Sequence, residues 1–366
     1  MIIKSVELNN FRNYENLAIS FGKDNNILYG DNAQGKTNVL ESIYVCATTK
    51  SHKGSKDKEI IRIGEDEAHI KMMVEKNGID HKIDMHLKKN KTKGVAIDGI
   101  PAKKSSEVFG LINVVFFSPE DLSIIKSGPA ERRKFIDMQL CQLDKIYLYN
   151  LINYNKIIIQ RNNLLKQISF KRDLMDTLSI WDEQLVYYGS LIIKRRNDFI
   201  KELKEIVKDI HYKISGNLEE IDIDYDYNVD VENFSNQLMS SRERDLSQKS
   251  TTVGPHRDDM CISLKGNDLR KYGSQGQQRT CALSLKLSEI ELVRNNIKDN
   301  PILLLDDVLS ELDRKRQNFL LNSISNTQTI ITCTGLEEFV GNRFNVDKVF
   351  HVVNGEIFQG NNVIEL

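Results

Sequence analysis

Apolar and polar residues follow different patterns in the successive parts of this 366-residue chain. Up to about Asp121 they mostly alternate, which is the two-residue period of half-buried strands. Strands are predicted at residues 3–8, 17–21, 26–29, 70–74 and 79–87, with a turn at Lys76-Asn77-Gly78 and a short buried strand at Val114–Phe117. One helix is predicted at residues 37–47. The first part should therefore be mainly sheet around a single helix.

The middle of the chain changes to the three-to-four spacing of a helical face. Apolar residues recur at this spacing from Ile136 to Ile168 and again from Leu178 to Ile210, which predicts an antiparallel helical hairpin or small bundle. Strands are then predicted at residues 221–229, 302–305 and 329–332, with a final hairpin turning at Asn354-Gly355. We predict an α/β core formed by residues 1–121 and 217–366, interrupted by a helical lobe at residues 122–216.

Composition narrows the class of protein only moderately. Charged residues make up 28% and hydrophobic residues 40%, as in ordinary globular proteins. The five scattered cysteines favour reduced thiols over disulfides. The sequence lacks a signal-peptide pattern and any apolar run near the ~20 residues needed to cross a bilayer. These features predict a soluble, cytoplasmic protein.

The net charge of -1 conceals local basic clusters. Such clusters are usually solvated faces, and any contact with nucleic acid should be confined to a local patch. The preferred candidates for contacting DNA phosphates lie on the predicted sheet lobe. They are Lys53, Lys56, Lys88, Lys89 and Lys91.

A glycine-rich segment between a predicted strand and a predicted helix fits the phosphate-binding loop of nucleotide-binding proteins. It consists of Gly30, Asp31, Asn32, Ala33, Gln34, Gly35, Lys36 and Thr37. Its glycines allow backbone N–H groups to surround phosphates at a helix N-terminus. Lys36 should pair with the β- and γ-phosphates of ATP, and the Thr37 hydroxyl should ligate Mg²⁺.

The apolar run Ile302-Leu303-Leu304-Leu305 ends in two carboxylates. A run of this kind suits a buried parallel strand, and ligands of such sheets bind at the carboxyl ends of the strands. Asp306 is the predicted Mg²⁺ partner. Asp307 is predicted to polarise the attacking water. The alternative is that the two aspartates only cap the following turn.

Ser274-Gln275-Gly276-Gln277 precedes a predicted helix and then the acidic strand. Serine and glycine are also ordinary helix caps, so this segment is uninformative alone. Its position suggests that the helix N-terminus offers N–H groups to a γ-phosphate. This order of motifs resembles the ABC-type ATPase heads, including those of the SMC family, in which this signature segment closes over the nucleotide of a second protomer. Ser310 and Asp313 resemble their D-loop, and the resemblance makes Arg12 a further candidate for ATP binding.

A narrower resemblance covers almost the whole chain. Six segments are similar, in the same order, to those of the RecF family of bacterial recombination mediators. They are residues 11–14, 30–37, 117–122, 254–259, 274–279 and 306–313. The resemblance implies an α/β ABC-type P-loop ATPase head with mixed sheets around the P-loop helix and an inserted helical lobe. It also implies ATP-dependent dimerisation, DNA binding near gaps, weak DNA-stimulated ATP hydrolysis, and RecA loading with RecR (and RecO).

The sequence departs from the wider ABC pattern in several places. Asp307 stands where transporters usually carry Glu, and Thr332-Cys333-Thr334 stands where they carry a histidine. Glu120 is the polar candidate after Phe117, with no assigned role. His256-Arg257-Asp258-Asp259 is either a mutually paired turn or part of a nucleotide site or interface. A P-loop kinase for small molecules and the nucleotide-binding subunit of a transporter are the alternative functions.

Overall fold

The computed structural model describes residues 1–324, 326–336 and 346–360; predictions for the other positions lie outside the described residues. The strands are β1 Ile2–Phe11, β2 Tyr14–Ser20, β3 Asn25–Tyr29, β4 Glu67–Lys76, β5 Ile79–Lys88, β6 Gly94–Ile97, β7 Ile100–Pro101, β8 Val114–Phe117, β9 Ile221–Asp226, β10 Asp259–Leu264, β11 Asn267–Asp268, β12 Ile302–Asp306, β13 Thr329–Cys333, β14 Lys348–Val353 and β15 Glu356–Gln359. The helices are α1 Lys36–Thr48, α2 Asp57–Ile60, α3 Ser123–Lys126, α4 Pro129–Leu143, α5 Lys145–Ile168, α6 Leu178–Ile214, α7 Phe234–Ser240, α8 Arg242–Gln248, α9 Leu269–Tyr272, α10 Gln275–Ile297 and α11 Arg314–Ser323.

The chain forms two compact units. The first comprises residues 1–121 and the described part of 285–366, and the second comprises residues 122–284. The first boundary falls where the sequence analysis placed it. The second differs, because residues 217–284 had been predicted to belong to the core. They lie in the second unit because β9 packs on α6, β10 pairs with β9, and Arg132 of α4 holds Asp259 with two hydrogen bonds of 2.6 and 2.8 Å.

The first unit contains a six-stranded sheet in the order β15-β14-β3-β13-β12-β8. All neighbours pair in parallel except β14 and β15. Strands β8, β12 and β13 are buried throughout, which explains the continuous apolar runs of residues 114–117 and 302–305, whereas β13 also buries Thr329 and Thr332. This arrangement brings the carboxyl ends of β3, β12 and β13 to one edge.

A second, antiparallel sheet of the same unit has the order β2-β1-β4-β5-β6-β7. Helix α1 contacts β1 and β4 of this sheet as well as β8, β12 and β13 of the parallel one. Ten of its residues are therefore buried, including the polar Lys36, Glu41 and Ser42. The predicted turn between β4 and β5 uses left-handed Asn77 (φ 53) and Gly78 (φ 75).

The second unit is built on the predicted pair of long helices. Helices α5 and α6 pack against each other, and α7 and α8 pack beside them. The first predicted helix is divided at Asp144, whose side chain caps α5 by accepting from the backbone N–H of Ile146 and Tyr147. Arg161 of α5 is completely buried and holds Asp182 and Asp245 at 2.7 Å each. Strands β9, β10 and β11 form a three-stranded antiparallel sheet.

Candidate nucleotide-binding site

The predicted phosphate loop lies between β3 and α1, as its sequence context indicated. Its two terminal glycines have backbone angles that L side chains rarely adopt, with φ 148 at Gly30 and φ 115 at Gly35. A Cβ at Gly30 would lie 2.3 Å from the carbonyl oxygen of Val352, and one at Gly35 would lie 2.5 Å from Nδ2 of Asn13. Gly30 therefore requires glycine for space as well as for conformation, whereas Gly35 requires it mainly for conformation, since the side chain of Asn13 could shift.

The C-terminal hairpin supports the phosphate loop from one side. The backbone N–H of Asn354 donates to Oε1 of Gln34 at 2.5 Å, and that of Gly355 donates to the carbonyl oxygen of Gln34 at 3.1 Å. Asn13 donates to the same carbonyl at 3.1 Å. Three separate contacts therefore fix the loop at Gln34, although nothing in the sequence linked residues 354–355 to this loop.

Lys36 folds back over the loop from the first position of α1. Its ammonium donates to the carbonyl oxygens of Gly30 at 2.5 Å and Asp31 at 2.9 Å, and the residue is only 4% exposed. A buried ammonium is stable only when it is paired or fully hydrogen-bonded. The loop therefore holds a cation against its own carbonyl oxygens.

Thr37 and Asp306, the two predicted Mg²⁺ ligands, are in direct contact. The Thr37 hydroxyl donates to Oδ1 of Asp306 at 2.7 Å. The same carboxylate oxygen accepts from the hydroxyl of Thr332 on β13 at 2.8 Å. A hydroxyl and a carboxylate supply the oxygen donors that Mg²⁺ prefers, so these residues fit that ion.

Asp307 occupies an unusual backbone conformation at the end of β12. Its φ of 50 lies in the left-handed region, where a non-glycine residue typically costs about 1–2 kcal/mol. Its backbone N–H donates to the Thr332 hydroxyl at 3.0 Å, and its carbonyl accepts from Ser310 at 2.8 Å. Burial raises the pKa of the Asp307 carboxyl, and Asp306 adds to the increase while Lys36 opposes it.

Sequence reasoning named Thr332 only within a departure from the ABC pattern and assigned it no role. This residue connects the side chain of Asp306 to the backbone of Asp307 through one hydroxyl. It lies on the strand beside β12, in register with Asp306. The prediction of adjacent buried parallel strands could have identified it, but no local motif marks it.

Arg12 is engaged within the protein. Its guanidinium forms a two-pronged ion pair with Glu41 of α1 at 2.6 and 2.8 Å, and it also donates to Ser55 at 2.8 Å. Burial alone would raise the pKa of the Glu41 carboxyl, but hydrogen bonds from Arg12 and Ser51 outweigh it and lower that pKa. Arg12 thus compensates a buried charge behind the phosphate loop, and ATP contact by Arg12 remains a prediction.

The signature segment, residues 274–277, begins α10 with a reciprocal cap. The Ser274 hydroxyl accepts from the backbone N–H of Gln277 at 3.2 Å, and the Gln277 side chain accepts from the Ser274 N–H at 2.9 Å. Ser274, Gln275 and Gly276 are exposed. The capping alternative is therefore present in the structure, but it leaves the outer surface of the segment accessible.

Most of the remaining predicted residues have structural partners. In the D-loop segment, Asp313 caps α11 by accepting from the backbone N–H of Arg316 at 3.0 Å. Glu120 is exposed, whereas its neighbour Asp121 accepts from the Ser118 N–H at 2.8 Å.

Residues 256–259 are not mutually paired. They bond to other parts of the second unit, and burial lowers the pKa of His256 to about 4.

The candidate DNA-contacting lysines differ in whether a carboxylate lies beside them. Lys53, Lys56 and Lys91 are exposed. Lys89 pairs with Asp66 at 3.1 Å, and Lys88 lies 3.5 Å from Glu67. A phosphate would have to compete with these carboxylates, so Lys53, Lys56 and Lys91 are better candidates than Lys88 and Lys89.

Comparisons with known proteins extend over nearly the whole chain. The profile of the RecF/RecN/SMC N terminal domain matches residues 2–357. The chain is 64% identical to the DNA replication and repair protein RecF of Lachnoclostridium phytofermentans, over 98% of this chain and 100% of the relative. It is 65% identical to the RecF protein of Agathobacter rectalis, over 98% of this chain and 99% of the relative.

Solved structures give the same result for the fold. The structure of the recombination mediator RecF with ATP superimposes with a TM-score of 0.92 at 37% identity, covering 98% of this chain and 97% of that one. An Smc head bound to the C-winged helix domain of ScpA shares the fold, with a TM-score of 0.58 at 16% identity. The predicted ABC-type head is thereby confirmed. Within the described residues, no helix combines the length and apolar character needed to cross a membrane.

Proposed function

The chain belongs to the RecF family of DNA replication and repair proteins, and from this premise we propose that it is an ATP-gated DNA-binding switch. The observation that supports it best is the 2.7 Å contact between Thr37 and Asp306, which unites the phosphate loop with the acidic strand. ATP would bind at residues 30–37, with Mg²⁺ held by Thr37 and Asp306. The kinase and transporter alternatives have no comparable support.

The nucleotide platform is the set Lys36, Thr37, Asp306 and Asp307. Bound Mg²⁺ would neutralise charge on the β- and γ-phosphate oxygens. Lys36 would exchange its loop carbonyls for phosphate oxygens, and Asp307 would orient water and accept its proton. A carboxylate with a raised pKa is the stronger base, which suits this role for Asp307.

Replacing Thr332 with valine should slow ATP hydrolysis about tenfold, equivalent to ~1.4 kcal/mol of activation free energy. Valine keeps the shape of threonine but removes the hydroxyl that joins Asp306 to the backbone of Asp307. Phosphate release under saturating ATP measures the effect. Thr329→Val is the matched control, because Thr329 lies on the same strand and bonds to the Thr327 carbonyl instead. Equal rates for Thr332→Val and the unmodified protein would contradict this positioning role.

The signature segment would complete the site of a second copy. Its exposed Ser274, Gln275 and Gly276 lie at the N-terminus of the 23-residue helix α10. A helix N-terminus favours an anion such as a γ-phosphate. Binding of both γ-phosphates would hold the dimer together, and slow hydrolysis would release it.

Replacing Ser274 with arginine should abolish ATP-dependent dimerisation while leaving ATP binding to the single chain intact. The bulky cation blocks close approach, and the lost helix cap costs only about 1 kcal/mol. Light scattering coupled to size-exclusion chromatography measures the mass without nucleotide, with ADP and with ATP. Ser240→Arg provides the control, since Ser240 is also exposed in the second unit. A variant that dimerises normally would rule out a role for the signature segment at the dimer interface.

The output of the switch would be DNA positioning. We propose binding near gaps between single- and double-stranded DNA, with Lys53, Lys56 and Lys91 among the phosphate contacts, and cooperation with RecR and RecO in loading RecA. The sizing experiment, repeated with gapped DNA, tests the central claim. A single-chain mass under every condition would contradict the switch.

A further inference from the structure

Two histidines and a glutamate lie side by side on the accessible face of the antiparallel sheet. His69 of β4 is in register with His86 of β5, and their rings stack with centroids 3.8 Å apart. Glu67 lies two residues before His69 and projects from the same face, with its Oε2 2.9 Å from Nε2 of His86. One potential ligand atom from each side chain lies within 4.8 Å of the other two.

We propose that Glu67, His69 and His86 bind a divalent transition-metal ion of the zinc class. Two imidazole nitrogens and one carboxylate oxygen form a donor set that suits Zn²⁺, with water completing the coordination. Tetrahedral Zn²⁺ with bonds of about 2.0–2.1 Å places its ligand atoms about 3.3 Å apart. The three ligand atoms would have to move closer together than they are here, which the accessible side chains allow. The register of β4 and β5 meanwhile fixes the backbone positions of the three residues.

The surroundings leave room for a hydrated ion. The histidines line a concavity of about 720 Å³, whose wall also includes Asn9, Met85 and Gly94. Gly94 of β6 is opposite His86, and a Cβ placed there would approach no atom more closely than the Cβ of His86 at 3.9 Å. Because glycine has no side chain, this flank of the histidine pair remains open.

The neighbouring charges set the selectivity. Lys88 lies 3.5 Å from Oε2 of Glu67 and competes with a cation for that carboxylate. Lys71, on the same face, is paired with Glu7 at 2.7 Å. Mg²⁺ and Ca²⁺ prefer oxygen-rich sites, so a site with two imidazoles beside a lysine should discriminate against them. The proposed site therefore differs in metal preference from Thr37 and Asp306, whose oxygen donors suit Mg²⁺.

A bound ion would cross-link β4 and β5, two central strands of this sheet. Binding only to the folded protein would raise the temperature of unfolding, and above the dissociation constant the stabilisation would grow with the logarithm of ion concentration. The proposal requires neither ATP binding nor dimerisation, so it stands or fails independently of the proposed function.

Titration of the full chain with Zn²⁺ tests the site. The protein is first freed of metal with a chelator and then kept in excess Mg²⁺ without nucleotide. Calorimetry should show uptake of one ion per chain, and His69→Gln and His86→Gln should each weaken it about tenfold or more. The matched control is His81→Gln. His81 is also on β5 but pairs with Asp98 at 2.9 Å, outside the cluster.

Co²⁺ provides a spectroscopic readout that distinguishes nitrogen ligands from thiolates. A thiolate charge-transfer band that persists in both histidine variants would assign the ion to the exposed Cys261 and overturn the proposal. Absence of Zn²⁺ uptake, or equal affinity in His86→Gln and the unmodified protein, would also overturn it. Unchanged unfolding temperatures of the metal-free variants establish that the substitutions preserve the fold.

Discussion

Lys36→Ala is expected to weaken ATP binding by at least about 100-fold, which corresponds to ~2.7 kcal/mol. The ammonium of Lys36 is buried against the carbonyl oxygens of Gly30 and Asp31, where few water molecules can replace it. Removing one member of a desolvated charged pair commonly costs about 2–5 kcal/mol. In the variant, the carbonyl oxygens of Gly30 and Asp31 would repel the phosphate oxygens, because no ammonium group would lie between them.

Calorimetry or a fluorescent ATP analogue measures this loss. Lys50→Ala is a suitable control, because Lys50 is exposed just beyond the end of α1. The Lys36 variant should also remain a single chain in ATP, since it cannot hold the γ-phosphate. An affinity within threefold of the unmodified protein would exclude residues 30–37 as the nucleotide site.

Asp307→Asn is expected to reduce ATP hydrolysis by at least about 100-fold, or ~2.7 kcal/mol, and to produce a long-lived ATP dimer. Asparagine has nearly the same shape but cannot accept the proton of the attacking water. It also tolerates the left-handed backbone conformation at this position, so the N–H bond to Thr332 can persist. The substitution therefore removes basicity while retaining the local structure.

Two measurements together test the role of Asp307. Phosphate release should fall while ATP affinity is unchanged, and the ATP dimer should persist after dilution. Asp24→Asn makes the same chemical change at an exposed position of the first unit. This control should neither slow phosphate release nor prolong the ATP dimer. If Asp307→Asn dimerises no better than the unmodified protein, Asp307 does not activate water.

The sequence predicts the parts of this site that depend on adjacent strands and local motifs. The approach of Thr37 to Asp306 could be expected, because a glycine loop after one buried parallel strand and an acidic pair after another reach the same sheet edge. The role of Thr332 was missed because it depends on strand register, which no local pattern specifies.

Other differences arise from partners distant in sequence. Arg12 is 29 residues from Glu41 in sequence, and no periodicity predicts that its guanidinium pairs with this buried carboxylate. The strand predicted at residues 221–229 was assigned to the core, but β9 packs on α6 and pairs with β10, which places it in the second unit. The short hairpin of β6 and β7 was missed because four and two residues are too few for a clear alternation.

The support of Gln34 by Asn354 and Gly355 has a consequence for synthesis of the protein. The phosphate loop is translated early, but its backbone contacts come from residues 320 positions later. A nascent chain exposes residues 30–37 for most of its elongation without the strand β14 that packs against Gly30. The proposed nucleotide site therefore lacks this support until near the end of translation, and we expect prematurely terminated chains to bind ATP more weakly than the full chain.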